Sequence, residues 1–268
     1  MNKILDELAA FARSRLVPAA RACLMRAYNA YCQGDDLGAA LKEDGTPASR
    51  ADRDTERLLR EMIAEAYPDH GIAGEEYGVE NADAEFIWVL DPLDGTKEFL
   101  AKVDGWGILI GLLQKGKPVL GSIIDPQTIK IWDQDTKFPV ANVKSTIEQA
   151  IVATTAPENM FRDAPYAAGA QALFRRCAGR RERLNCLGFA YAADGCVDVV
   201  AENRLTLYDI AALLPVLWAA GATCRNLSGA DYRNIAFDVG EAAAAHYGLV
   251  ASRDPSLVSA VLTTLQGD

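Results

Sequence analysis

The chain has 268 residues, half of them hydrophobic and 24% charged, with a net charge of −10. Length and composition suit one large or two small globular cores, and the acidic balance excludes the basic footprint of a protein that binds polymeric nucleic acid. Cys23, Cys32, Cys177, Cys186, Cys196 and Cys224 form no C-x-x-C pair, so free thiols are expected rather than a disulfide frame or a zinc site. The chain contains no run of about 18 apolar residues. Met1–Arg15 is charged throughout and lacks the continuous apolar core of a signal peptide. A cytoplasmic protein with no membrane partner is expected.

Ile4, Leu5, Leu8, Phe11, Ala12 and Leu16 recur at helical spacing, continuing through Ala22 and Leu24, which predicts one packing helix over 3–30. Gln33-Gly34-Asp35-Asp36 breaks it, and 42–47 is rich in turn residues. A second amphipathic helix is expected from Asp52 to Ala66, with Leu58, Leu59, Met62 and Ile63 on one face. Ile72-Ala73 then leads into Gly74-Glu75-Glu76. Phe86–Leu90 reads as a short buried strand that ends at Asp91-Pro92, where a proline stops sheet pairing. Trp106–Leu113 and Val119–Ile124, flanking Lys115-Gly116-Lys117, read as a β-hairpin, and Ile129–Trp132 as a further strand. Phe138–Ser145 is the expected boundary between two halves, 1–143 and 144–268.

In the second half, Ile151–Thr155 predicts a strand, and Tyr166–Cys177 and Leu187–Asp194 predict helices. Cys196–Val200 reads as an apolar strand leading to Glu202. A helix is expected over Asp209–Ala220, kinked by Pro215. Leu249–Ala251 and Pro255–Leu265 read as a final strand and helix. Arg175, Arg176, Arg180, Arg181 and Arg183 read as a solvated face, with steering of a phosphorylated substrate as the other reading. The mixture predicts a mixed α/β (α+β) protein.

The stretch Asp91-Pro92-Leu93-Asp94-Gly95-Thr96 carries the chemistry. Buried strands do not normally end in clustered acids, and two carboxylates held close raise each other's pKa unless a cation stands between them. Oxygen ligands on a tight turn suit Mg²⁺, which takes one or two carboxylates and keeps positions for water and phosphate oxygens. A surface Asp-Pro turn with a solvated second Asp is the alternative for a bare D-P-x-D-G. The two histidines, His70 and His246, are too isolated for a His-based metal site.

Asp91–Thr96 resembles the signature of the inositol monophosphatase family of Mg²⁺-dependent, lithium-sensitive phosphatases. Gly74-Glu75-Glu76 resembles the family's second metal motif, and Tyr208-Asp209-Ile210-Ala211-Ala212 its third, with Tyr where Trp is usual. The resemblance implies a layered α-β-α-β-α sandwich of the inositol monophosphatase and fructose-1,6-bisphosphatase type. It implies two to three Mg²⁺ per site, with Mn²⁺ as a substitute. Glu75, Asp91 and the Leu93 carbonyl would hold the first. Asp91, Asp94 and Asp209 would hold the second, and Glu75 would help hold a third. It further implies that Thr96 and Glu75 orient the attacking water, that Asp52 hydrogen-bonds near Thr96, and that the Gly95 and Thr96 amides meet the phosphate, with Lys42 nearby. Asp209 and Asp52 also read simply as helix caps. A homodimer is the expected assembly.

Specificity is expected in the second half. By resemblance, Glu202, seven residues before Asp209, matches a Glu that binds substrate hydroxyls or an amine. Where the inositol-phosphate branch has Gly-Ser-Ala and the histidinol-phosphate branch Gly-Gly-Asp, this chain has Leu184-Asn185-Cys186-Leu187, in which Asn185 keeps a polar side chain. Ala153–Pro157, Gly116–Gly121 and Tyr208-Asp209 with Pro215 resemble the bacterial histidinol-phosphatase branch. Asp91–Phe99 looks more like the bisphosphate-nucleotidase branch. The expected activity is hydrolysis of a small phosphorylated metabolite of the histidinol- or inositol-phosphate kind by metal-activated water. The alternatives are a 3′(2′),5′-bisphosphate nucleotidase, or a phosphatase-like partner-binding protein with weak activity.

Overall fold

The computed structural model describes residues 3–41, 47–140, 142–162, 164–241 and 244–267. The N-terminal helical run is divided, not one α-helix as expected: α1 (Lys3–Phe11), a π-helical segment (Ala12–Leu16) and α2 (Val17–Cys32). Pro18 has no N–H for the carbonyl four residues before it, and the wider π turn falls where that bond is missing. The stripe Leu8, Ala12, Leu16, Ala20 and Leu24 is buried along the whole run. The short strands β1 (Ala40–Leu41) and β2 (Pro47–Ala48) pair before α3 (Arg50–Ala66). A capping box starts α3: Ser49 Oγ accepts the Ala51 N–H at 3.1 Å, and the Asp52 carboxylate accepts the Ser49 N–H at 2.9 Å.

Next come β3 (Gly71–Gly74), β4 (Gly78–Glu80), β5 (Phe86–Asp94), the short α4 (Thr96–Ala101), β6 (Gly107–Gln114), β7 (Lys117–Asp125) and β8 (Lys130–Asp133). They form a six-stranded sheet of order β4-β3-β5-β6-β7-β8, parallel between β3 and β5 and otherwise antiparallel. Pairing does not stop at Pro92. The ladder passes from Asp91↔Leu109 to Asp94↔Gly107, with one extra residue on β5. The proline's missing donor falls inside this bulge, where the ladder is already broken.

The second half contains β9 (Ile151–Thr154), α5 (Pro157–Arg162), α6 (Ala164–Arg176), β10 (Gly179–Glu182), α7 (Cys186–Asp194), β11 (Val199–Leu205), α8 (Leu207–Ala219), β12 (Thr223–Arg225), β13 (Tyr247–Ser252) and α9 (Pro255–Gln266). The sheet order is β10-β9-β11-β13-β12. The expected strand over 196–200 is displaced: β11 starts at Val199 and carries Glu202 in its interior, paired with Leu249. Helix α8 runs on through Pro215, and the Ala211 carbonyl, which the proline leaves without a helical donor, lies over Gly111.

The layers follow from which faces are apolar. Along β5, Ile87 and Val89 join one buried cluster while Trp88 and Leu90 join another, so both faces of the sheet are covered. Helices α2 and α3 cover one face, α7 and α8 lie between the two sheets, and α6 and α9 pack outside the second. The result is the α-β-α-β-α sandwich, with a central core shared by both sheets.

Candidate active site

The bulge in β5 sets the geometry of the site. Residues three apart on a regular strand point to opposite faces; the extra residue between Asp91 and Asp94 lets both carboxylates meet on one side. Glu75 follows the end of β3, and its N–H donates to the Leu90 carbonyl at 3.2 Å, so the parallel pair delivers Glu75 and Asp91 to the same sheet end. Asp209 arrives from the first turn of α8. It is not the cap: Thr206 is, and Asp209 Oδ2 accepts the Thr206 N–H at 2.6 Å and its hydroxyl at 2.9 Å. The candidate ligand atoms of Asp91, Asp94 and Asp209 lie within 4.8 Å of one another.

Burial is the largest cause of their shifted pKa values. It pushes Asp91 well above the usual carboxylate range, helped by the charges of Glu75, Asp94 and Asp209. Asp94 is pushed up to about 8 by burial and then by Asp209. Asp209 is pushed up to about 6 by burial, with Glu75 adding to the rise and the Thr206 bond opposing it. Among the described residues no Lys or Arg forms an ion pair with any of the three. Such a cluster of oxygens without a protein cation fits a hard divalent ion, which would relieve the crowding that raises these values.

Asp52 serves both sequence readings. It completes the cap of α3, and Thr96 Oγ1 lies 3.2 Å from both Asp52 Oδ1 and the Leu93 carbonyl. Gly95 opens α4 with φ +96°. Lys42 lies outside the described residues. From the second half, Cys186 N–H donates to Asp94 Oδ2, and Asn185 Nδ2 donates to Glu98 Oε2 at 3.0 Å and the Gly105 carbonyl at 2.7 Å. The Asn185 amide is thus turned onto α4 and the loop after it. The role of Cys186 was invisible in the sequence because it is played by a backbone amide.

Glu202 lies within β11 and not beyond the end of a strand. It is buried in β11, accepts the Thr155 N–H and, at 3.3 Å, the Thr154 hydroxyl, and burial pushes it up to about 7. It lines a small side pocket of about 90 Å³ shared with Asp94, Asp209 and Phe189. The cleft over the carboxylate cluster, about 280 Å³, has Glu75, Asp91, Asp94, Thr96 and Asp209 in its lining. Of the arginine cluster, Arg183 reaches this cleft and pairs with Glu158 at 2.8 and 3.1 Å. Arg175, Arg176 and Arg180 are engaged with Gln171, Glu148 and Glu182. His70, given no role by the sequence, accepts the Trp88 indole N–H at 3.1 Å.

Residues 5–262 match the model of the inositol monophosphatase family. The bifunctional phosphatase IMPL2, chloroplastic, of Arabidopsis thaliana is 32% identical over 239 residues, 84% of this chain and 67% of that protein. A histidinol-phosphatase of Mycobacterium tuberculosis is 29% identical over 209 residues, 72% of this chain and 79% of that one. The solved structure of an inositol monophosphatase from Zymomonas mobilis aligns over 97% of this chain and 98% of its own, at 26% identity and a TM-score of 0.74. With three motif acids gathered at one sheet end and a family match over nearly its whole length, the chain belongs to the inositol monophosphatase family and is a phosphomonoesterase acting on small phosphorylated metabolites.

Proposed function

We propose that the chain hydrolyses a phosphate monoester of the histidinol- or inositol-phosphate kind, with Mg²⁺ as its cation, and that histidinol phosphate is the better substrate of the two. The observation that carries this reading is the meeting of Asp91, Asp94 and Asp209 within 4.8 Å. Glu75 and the Leu93 carbonyl complete the proposed ligand set. Bound there, Mg²⁺ supplies neutralisation of the phosphate dianion and a lowered pKa for the attacking water. Thr96 gives its one proton to Asp52 or to the Leu93 carbonyl, so its oxygen lone pairs can accept from that water. Thr96 is also the first residue of α4, so its amide has no partner within the helix and is available, with that of Gly95, to a phosphate oxygen.

Glu202 favours an amine-bearing substrate. Its carboxylate is already stripped of water beside the cluster, and an ammonium group would give it a charge-assisted bond stronger than a hydroxyl offers. Relatives named for either substrate resemble the chain to a similar degree, so this order rests on Glu202 alone. All six cysteines are free, which suits a reducing compartment such as the cytoplasm.

The test is a panel of histidinol phosphate, inositol 1-phosphate, adenosine 3′,5′-bisphosphate and an aryl phosphate, each with Mg²⁺, with EDTA, and with added Li⁺. Turnover is expected only with Mg²⁺ or Mn²⁺, with histidinol phosphate giving the highest kcat/KM and millimolar Li⁺ inhibiting. Full activity in EDTA would overturn the metal reading. A higher kcat/KM for the bisphosphate would make the chain a nucleotidase. No turnover of any ester would turn the reading toward a partner-binding protein.

A further inference from the structure

Glu56 is fully buried in α3 and lies outside the carboxylate cluster. It stands one helical turn after Asp52, on the same face of the helix. While Asp52 meets Thr96, Glu56 addresses the other side of the site. Its Oε2 accepts the Glu76 N–H at 2.8 Å, and its Oε1 the Tyr77 N–H at 3.2 Å. These are the first two amides after Glu75. The same Oε1 accepts Arg60 Nε at 2.8 Å, and Arg60 donates through Nη2 to the Gly78 carbonyl. The buried pair therefore grips the turn between β3 and β4 from α3. Gly74 makes the approach feasible, since a Cβ there would lie 2.0 Å from Glu56 Oε1.

A buried carboxylate is unfavourable unless donors are arranged around it. Here two of the donors are backbone amides of the segment that begins at Glu75, so the orientation of that segment is tied to a rigid helix. We propose that Glu56, held by Arg60, is a positioning residue that fixes the Glu75 turn against Asp91 and so sets the cation affinity of the cluster, without touching cation or substrate. The inference rests on the reading of Glu75 as a ligand. Groups that orient metal ligands commonly change affinity by about ten- to hundredfold.

The experiment titrates Mn²⁺ calorimetrically into the full chain and into Glu56→Gln, Gly74→Ala and Glu75→Gln, and follows hydrogen exchange at the Glu76 and Tyr77 amides. Both amides should be protected in the wild type and exchange faster in Glu56→Gln. Mn²⁺ should bind about tenfold more weakly to Glu56→Gln and Gly74→Ala, with kcat largely recovered at saturating Mn²⁺. Should Glu56→Gln fail to fold, Glu56→Gln/Arg60→Met removes both charges of the pair and takes its place. Weakened binding in Glu75→Gln with unchanged binding in the Glu56 variants would overturn the positioning role and leave the ligand reading intact. Unchanged binding in Glu75→Gln would overturn the ligand reading and this inference with it. Weaker binding in Glu56→Gln without faster exchange at Glu76 and Tyr77 would also overturn it, because the turn would not be the link.

Discussion

Gly121 lies directly beneath Ala212: a Cβ on Gly121 would stand 2.1 Å from the Ala212 carbonyl oxygen. Gly121 pairs across the ladder with Gly111, and the two open a furrow in β6 and β7 for the backbone of α8. Ala212 is three residues after Asp209, so this contact sets how closely Asp209 approaches the sheet that carries Asp91 and Asp94. Gly121→Ala should lift the start of α8, destabilise the fold by about 1–3 kcal/mol, and raise the Mg²⁺ concentration needed for half-maximal rate. Thermal unfolding and a Mg²⁺ titration of the rate would check both. Wild-type values for each would show that α8 is not seated by this contact.

Asp94→Asn should abolish turnover and keep the fold. Asp94 accepts the Cys186 N–H, and the carbonyl of Asn can do the same. What is lost is one charge of the proposed metal set, in a cluster where burial and Asp209 already hold Asp94 near about 8. Without cations at neutral pH, the variant should be at least as heat-stable as the wild type, because Asn folds in without the proton that buried Asp94 must take up. Circular dichroism and a rate measurement test this; a rate within about tenfold of wild type would count against Asp94 as a ligand.

Metal and pH should act on stability in opposite senses. Folded Asp94 and Asp209 titrate at about 8 and about 6, and Asp91 is also raised, all chiefly through burial. In the unfolded chain these groups titrate near about 4, so the folded state holds their protons more tightly. The stability this lends is complete below about pH 4 and is lost as pH rises through about 6 to about 8. A divalent cation takes the place of the protons. The Tm of EDTA-treated protein should therefore fall from about pH 5 to about pH 8, and the Tm gain from Mg²⁺ should be larger at the higher pH. A gain independent of pH would mean that the ion binds away from these carboxylates.

What could be read from the sequence was chemistry concentrated in side chains of short motifs. Asp91, Asp94, Glu75 and Asp209 stand out as types and spacings, and the geometry brings the three aspartates together. The bulge that turns Asp91 and Asp94 to one side was not legible, because Pro92 marks a break in pairing without saying that pairing resumes. Cys186 acts through its amide, which no residue type announces. Glu56 and Arg60 have the i,i+4 spacing of an ordinary surface pair, and their burial depends on where the β3–β4 turn comes to lie. Glu202-Asn203-Arg204 reads as a polar strand end, yet Thr154 and Thr155 supply the donors that let Glu202 sit inside β11. The edge strand β10 was missed because Gly179-Arg180-Arg181-Glu182 is largely exposed and carries no apolar alternation.

Glu202 should discriminate substrates, and its pH dependence should reveal how. Burial holds its carboxyl at about 7, with the Thr155 N–H and Thr154 hydroxyl bonds pulling the other way. Assays on either side of neutrality therefore compare a charged with an uncharged group. If the substrate brings an ammonium group into the side pocket, binding needs the carboxylate, and KM should fall as pH rises through about 7. Glu202→Gln keeps an oxygen for the Thr155 N–H but turns an NH₂ donor toward its surroundings. For histidinol phosphate, that change should raise KM by an amount worth about 1.5–3 kcal/mol and remove the pH dependence. An aryl phosphate offers no donor, so its KM should barely move. The variant also separates this role from a structural one. The folded carboxyl titrates above its unfolded value, so its contribution to stability is lost as pH rises through about 7, and Gln should remove that slope as well. Equal losses of kcat/KM on both esters would mean that Glu202 serves to hold β11 against Thr155, and the specificity role would be wrong.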